Sequence, residues 1–267
     1  MHEAGYVGTE VGHKYPKDVD ELGPLMKQNQ LRLIGGWHST FLATKEYDEE
    51  QQHFEKYLHF LKSMNASVVI VAECSYAIHS DESAPLKFEP EGIGLTTEEW
   101  ERVYNGLEKL SRLAADEGIP LVYHHHMGTV VQSEESLHAL LENVSDLNLL
   151  FDTGHLKFAG IEPSDILERH ADRIAHVHLK NVRPEIVRKV REEGLSFGQA
   201  VRAGVFTVPG DESKYEPAVD YPELLAGLAE RGYKGWYVVE AEQDPAKADP
   251  LVYALKSRHY LRHITGL

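Results

Sequence analysis

The chain has 267 residues, 42% of them hydrophobic, with 43 acidic against 27 basic side chains and a single cysteine. That composition describes a folded globular protein and excludes disordered, collagenous and disulfide-scaffold classes, since Cys74 has no partner within the chain. A formal net charge of −16 opposes an extended phosphate-binding surface, so nucleic acid is disfavoured as a partner.

No apolar run approaches the roughly 20 residues that a membrane helix needs. The opening MHEAGYVGTE carries an early charge and no apolar segment, which reads as no secretory leader and a cytoplasmic location. EAGYVGTE then reads as the last turn of a helix, a glycine cap and a strand over residues 6–11. Further apolar, β-branched runs lie at 31–36, 67–74, 120–126, 147–155, 174–181 and 235–242. Their lack of polar alternation is that of strands buried on both faces of a parallel sheet. Helical patterns separate them. One covers 96–117, opening on TTEEW with Thr96 or Thr97 as cap and apolar residues at helical spacing through Val103, Leu107, Leu110 and Leu113; another covers 133–143. Gly118 and Gly232 close helices before the next strand, and the acidic stretch 48–52 reads as a solvated helix start. The longest irregular stretch, 184–217, is expected to be a short helix and a loop over the site.

Strand alternating with helix fits either an open doubly wound sheet or a closed barrel. Polar side chains end at least five strands, in GGWH, AECS, YHHH, DTGH, HLKN and EAEQ. In a barrel every strand's carboxyl end faces one shared pocket, whereas an open sheet uses only those at its switch point, so the barrel is favoured. Seven strands are legible where eight close such a barrel. The expected fold is therefore a TIM (β/α)8-type barrel in one domain over 1–267, without its first strand and most of its first helix.

The last four strand ends gather His124, His125 and His126, Asp152 with His155, His176 with His178, and Glu240 with Glu242. Any one such histidine is more often a satisfied polar residue than a ligand, but repetition at four successive ends points to a divalent metal held by nitrogen and carboxylate, with Mn, Co, Fe or Zn suited to that set. In HVH, His176 and His178 share a face while Val177 points oppositely. Glu73 is a candidate ligand, a general acid or base, or a salt-bridge partner of Lys180. Lys180 reads equally as a cation steadying an oxyanion and as a surface lysine. Trp37 and His38 are expected to wall the pocket, and Cys74 to be a small buried hydrophobe.

YHHHMGTVVQ, LLFDTGHLKFAG, RIAHVHLKNVR, GVFTVPGDE and GWYVVEAEQDP together resemble the inosose dehydratases of bacterial inositol catabolism, within the xylose isomerase-like barrel superfamily. The likeness runs from EAGYVGTE almost to the end. It implies that Asp152, His178 and Glu240 are metal ligands and that His124 stands where relatives place a Glu. It implies a small polyol ketone as substrate, with scyllo-inosose losing water to a trihydroxycyclohexane-dione. Mn or Co is the metal it favours, with Zn, Fe or Mg as others. Glu73, His126, His155, Lys180 and Glu242 are the catalytic candidates. The alternatives kept open are a ketose epimerase or isomerase using the same enediolate chemistry, and an inactive sugar-binding barrel. An endonuclease reading is opposed by the acidic charge. The bare sheet edges of a barrel short of one strand suggest a homo-oligomer.

Overall fold

The computed structural model describes residues 1–88, 93–211 and 218–266. Its strands are β1 (Gly8–Glu10), β2 (Arg32–Gly35), β3 (Trp37–Thr40), β4 (Val69–Glu73), β5 (Leu121–His124), β6 (Asn148–Asp152), β7 (Ile174–Leu179), β8 (Asn181–Val182), β9 (Phe206–Thr207) and β10 (Tyr237–Val239). The helices are α1 (Val19–Gln28), α2 (Tyr47–Ser63), α3 (Thr97–Asp116), α4 (Glu134–Asn143), α5 (Thr153–Ala159), α6 (Pro163–His170), α7 (Pro184–Glu193), α8 (Phe197–Ala203), α9 (Tyr221–Glu230) and α10 (Pro250–Thr265). None of them is long and apolar enough to cross a membrane.

Each of the seven expected strand positions carries a strand. Strands β3, β4, β5, β6, β7 and β10 form one parallel ladder in that spatial order, and β1 pairs in parallel with β2. Among the described residues no ladder joins β10 to β1. The expected run at 31–36 continues to Thr40 and is divided at Gly36, so β2 serves β1 while β3 serves β4. Gly36 is where the backbone comes closest to the helical layer: a Cβ there would lie 2.1 Å from the Tyr57 hydroxyl. A larger residue there would have to displace the Tyr57 side chain.

Alternation along the strands sorts the core into two layers. Val69, Val71, Leu121, Tyr123, Leu149, Phe151, Val177 and Leu179 face outward into the main cluster beneath the helices, with Phe54, Leu58, Val103, Leu107 and Leu110 as their partners. Val68, Ile70, Val122 and Leu150 pack together as a small inner plug with Trp37 and Ala175 against them. The residues two further along β5 and β6 are His124 and Asp152. The period that fills the barrel with aliphatic side chains therefore also delivers the polar ones to its mouth.

Local signals in the sequence are met. Thr96 caps α3 in a capping box with Glu99, Ser133 caps α4, and Gly118 and Gly232 adopt left-handed φ of 77° and 79°. A short 3-10 turn at His2–Ala4, closed by Gly5 at φ 88°, precedes β1 as expected. The acidic start of α2 is mostly exposed, but Glu50 turns inward and accepts from the Phe41 N–H.

The stretch after β7 departs from expectation. In place of one short helix it holds α7 and α8 and the antiparallel pair β8–β9, with residues 212–217 outside the described set. Phe197 and Phe206 from this segment lie over the barrel mouth, where their rings sit 6.0 Å and 5.0 Å from that of His155.

Candidate active site and metal centre

Asp152 ends β6 and caps α5 at once. Its Oδ1 accepts from the N–H groups of Gly154 and His155, both at 2.8 Å, which leaves Oδ2 aimed into the barrel. Around that oxygen stand His124 Nε2 at 3.4 Å and His178 Nδ1 at 3.4 Å, and His178 Nδ1 is 3.2 Å from Glu240 Oε2. One ligand atom from each of His124, Asp152, His178 and Glu240 lies within 4.8 Å of the other three. Asp152 Oδ2 and His178 Nδ1 are buried without a hydrogen bond. Buried polar atoms are seldom left in that state unless something else satisfies them. Two imidazoles and two carboxylates converging this way are the donor set of a divalent cation of borderline hardness, so the residues fit a metal.

His178 is oriented from behind by a residue that the sequence did not single out. Glu10, on β1, accepts from His178 Nε2 at 2.9 Å and from His176 Nε2 at 2.6 Å. This bond makes Nε2 the protonated atom of His178 and leaves Nδ1 to face Asp152 and Glu240, the arrangement by which an outer carboxylate fixes a ligating imidazole. Burial disfavours a charged Glu10, but the two imidazoles outweigh it and hold its carboxyl down at about 2. Burial equally disfavours a charged His178, and the carboxylates of Glu10 and Glu240 raise it well above the usual imidazole range. A lone glutamate on a three-residue strand carries no spacing signal of its own.

Lys180 is only 1% exposed. The surface-lysine reading is therefore wrong: β7 continues its inward face through His176, His178 and Lys180. Its ammonium lies 2.6 Å from Glu240 Oε2, 2.6 Å from Glu242 Oε2 and 3.6 Å from Asp152 Oδ2, and 4.6 Å over the Phe206 ring. The same contacts exclude Glu73 as its partner. These carboxylates overcome the burial that opposes its charge and push the ammonium pKa up. Gly154 is needed here, since a Cβ on it would stand 2.5 Å from Lys180 Cγ.

His126, His155 and Glu242 form a second group beside the first, again with ligand atoms within 4.8 Å. The His126 and His155 rings are 4.0 Å apart, and His155 Nε2 is 3.5 Å from Glu242 Oε2. Desolvation, helped by neighbouring positive groups, holds both histidines well below the ordinary imidazole range, so both are neutral. Burial moves Glu242 the other way, to about 7, although Lys180 opposes the shift.

Two expected site residues are placed apart from these groups. Glu73 is fully buried, but its carboxylate is occupied by the loops after β3 and β4, accepting from Leu42 N–H, the Thr40 hydroxyl and Ser75 N–H at 2.9–3.0 Å. None of the grouped ligand atoms is among its partners. His38 faces away from the pocket, against Phe54 and Tyr57, because it alternates with Trp37; of the two, Trp37 walls the mouth, edge-on to His124 and His126. Cys74 is buried as expected, and desolvation lifts its thiol to about 11.

A parallel barrel with a cation-binding set at the carboxyl ends of its last strands defines a class. The chain belongs to the xylose isomerase-like TIM barrel family, whose model matches residues 1–263. Within it, an inosose dehydratase of Clostridium botulinum (strain Alaska E43 / Type E3) is 47% identical over 265 residues, covering 98% of this chain and 86% of that one. Among solved structures, the probable 3-DHS dehydratase of petrobactin synthesis from Bacillus anthracis superposes with TM-score 0.68 at 15% identity, covering 97% of this chain and 90% of that one. The IOLI protein, solved with a zinc atom, superposes with TM-score 0.63 at 15% identity, over 98% of this chain and 88% of that one. At such identities these two show the shared fold.

Proposed function

We propose that the protein is a metal-dependent hydro-lyase that removes water from scyllo-inosose, giving a trihydroxycyclohexane-dione. The observation that carries this reading is the pairing of two groups in one mouth, a cation-binding set of His124, Asp152, His178 and Glu240 and, beside it, His126, His155 and Glu242. The name of the 47%-identical relative selects the ketone among the substrates such a mouth could take.

The hydrogen α to a ketone is a weak acid and the β-hydroxyl is a poor leaving group, so the reaction needs stabilisation of enolate charge, a base and a proton for the departing oxygen. A bound divalent ion supplies Lewis-acid stabilisation of the charge that develops on the ketone oxygen. The chain's residues supply the rest. Lys180 adds a fixed positive charge at the same mouth, Trp37 and Phe206 line it with apolar surface that excludes water, and the His126, His155 and Glu242 group offers the proton-transfer atoms. Mn or Co is the metal we favour, in a cytoplasmic enzyme.

Chelator-treated protein should not form the ultraviolet-absorbing dione, and added Mn or Co should restore it. Full turnover without metal would refute the reading, and interconversion of ketoses without a chromophore would assign the epimerase alternative. We further propose a homo-oligomer, because β1 and β10 each leave an edge unpaired among the described residues. Sedimentation as a monomer would overturn that.

A further inference from the structure

Residue Met127 sits between the two imidazoles of the second group and bonds to both, with opposite polarity. Its carbonyl oxygen is 2.8 Å from His126 Nδ1. A carbonyl only accepts, so Nδ1 carries the ring proton of His126 and Nε2 carries the lone pair. Its N–H donates to His155 Nδ1 at 3.2 Å. That nitrogen must be the bare one, so Nε2 carries the proton of His155; Glu242 Oε2 lies 3.5 Å from it, without a hydrogen bond. One residue therefore engages opposite sides of two adjacent imidazoles, Nδ1–H of His126 and the bare Nδ1 of His155. Only His126 can accept a proton at Nε2. It is also the one with solvent access, 8% exposed where His155 is fully buried.

The substrate class of the proposed function adds a stereochemical constraint, and the inference rests on that reading. In a scyllo-configured ring successive hydroxyls alternate between the two faces. The hydrogen on the carbon α to the ketone therefore lies on the same face as the hydroxyl of the next carbon, and elimination has to be syn. A base that takes the hydrogen is already beside the leaving oxygen.

We propose that His126 Nε2 is the proton acceptor and the proton carrier of this elimination, while His155, tied to Met127 N–H and packed against the His126 ring, is a positioning residue. In the first step the α C–H bond breaks, an N–H bond forms on His126, and the electron pair stays on carbon, delocalised onto the ketone oxygen. In the second step that pair forms the C=C bond as the β C–O bond breaks. The imidazolium N–H proton passes to the departing oxygen, which leaves as water. His126 ends neutral, and no further acid, oxidant or reductant is required.

Two measurements test this. Long-range ¹H–¹⁵N spectra of the metal-free, histidine-labelled chain, with rings assigned through His126→Gln and His155→Gln, should show Nδ1 protonated in His126 and Nε2 protonated in His155. The same tautomer in both rings, or the reverse pattern, overturns the proposal. The second measurement compares inosose with an analogue bearing fluoride in place of the β-hydroxyl, since fluoride departs without a proton. His126→Gln should lose turnover of both by about 10³-fold while Mn binding changes by no more than about tenfold. His155→Gln keeps an acceptor for Met127 N–H, and its loss of turnover of both compounds should be at least about tenfold smaller than that of His126→Gln; an equal loss in the two variants would overturn the assignment of the base to His126. Fluoride release at the wild-type rate by His126→Gln would place proton abstraction elsewhere. Loss of inosose turnover with intact fluoride release in Glu242→Gln or Lys180→Met would reveal a separate acid and equally overturn the single carrier. Wild-type protein that turns over neither compound would refute the dehydratase reading itself, and the ring spectra would still decide the tautomer assignment.

Discussion

Replacing Lys180 by Met removes the ammonium that faces Asp152, Glu240 and Glu242 while keeping most of the stem volume. Breaking a buried ion pair from one side costs about 3–5 kcal/mol, because the abandoned carboxylate stays desolvated. Glu240 and Glu242 are 39% and 25% exposed and regain some water, so the penalty falls chiefly on Asp152, which has no exposure at all. For 267 residues an unfolding entropy of about 2.1 cal/mol/K per residue makes the expected loss about 5–9 °C in Tm for metal-free protein. Added divalent cation replaces the missing positive charge among the same carboxylates, so the gain in Tm on adding Mn should be larger in Lys180→Met than in wild type. Differential scanning calorimetry at two metal concentrations reads both quantities. Equal Tm for the two metal-free proteins, or an equal response to Mn, would show that Lys180 does not neutralise this site.

Glu240→Gln should abolish tight Mn binding by isothermal titration, whereas Glu242→Gln should keep it within about tenfold, because only Glu240 joins the His124, Asp152 and His178 set; comparable affinity in wild type and Glu240→Gln would assign the wrong carboxylate. Glu73→Gln should leave metal affinity unchanged and lower Tm, since Glu73 ties Thr40, Leu42 and Ser75 together. Burial raises the Glu73 carboxyl pKa, so the folded state binds its proton more tightly than the unfolded state. Its contribution is therefore largest below the ordinary carboxylate range and declines as pH rises through the raised value. The Tm gap between wild type and Glu73→Gln should narrow accordingly, and a gap that widens with pH would contradict the burial argument.

What was readable in the sequence was whatever repeats along a strand. DTGH, HVH and the paired glutamates 240 and 242 stand at strand ends, and alternation alone turns His176, His178 and Lys180 to one side and Val177 to the other. What escaped was set by contacts between distant segments. Nothing in LIGGW announces that a Cβ at Gly36 would meet the hydroxyl of Tyr57, because that group lies twenty-one positions on, in α2. Glu73 and Glu240 both end apolar runs, yet one carboxylate meets the N–H groups of two loops and the other an imidazole and an ammonium. Local composition is the same for both, so only the fold separates them.

Glu10 also changes what it means for the amino-terminal βα unit to dock. β1 and β2 lie outside the six-stranded ladder, and within the barrel β1 reaches β7 through the side chain of Glu10 bonded to His176 and His178. The Ser67 and Val68 N–H groups on Ile34 O, the Arg258 bond to Gly5 O and the packing of Leu22 and Leu33 hold the segment as well, so an opening that parts only Glu10 from β7 leaves the six-stranded ladder zipped and belongs to the local openings that precede global unfolding. Each such opening frees Nε2 of His178 to change tautomer. The lifetime of the binding geometry is then the residence time of the first strand, and a cation that fixes His178 from the Nδ1 side acts as a clasp on the amino terminus, about one barrel radius from where it binds.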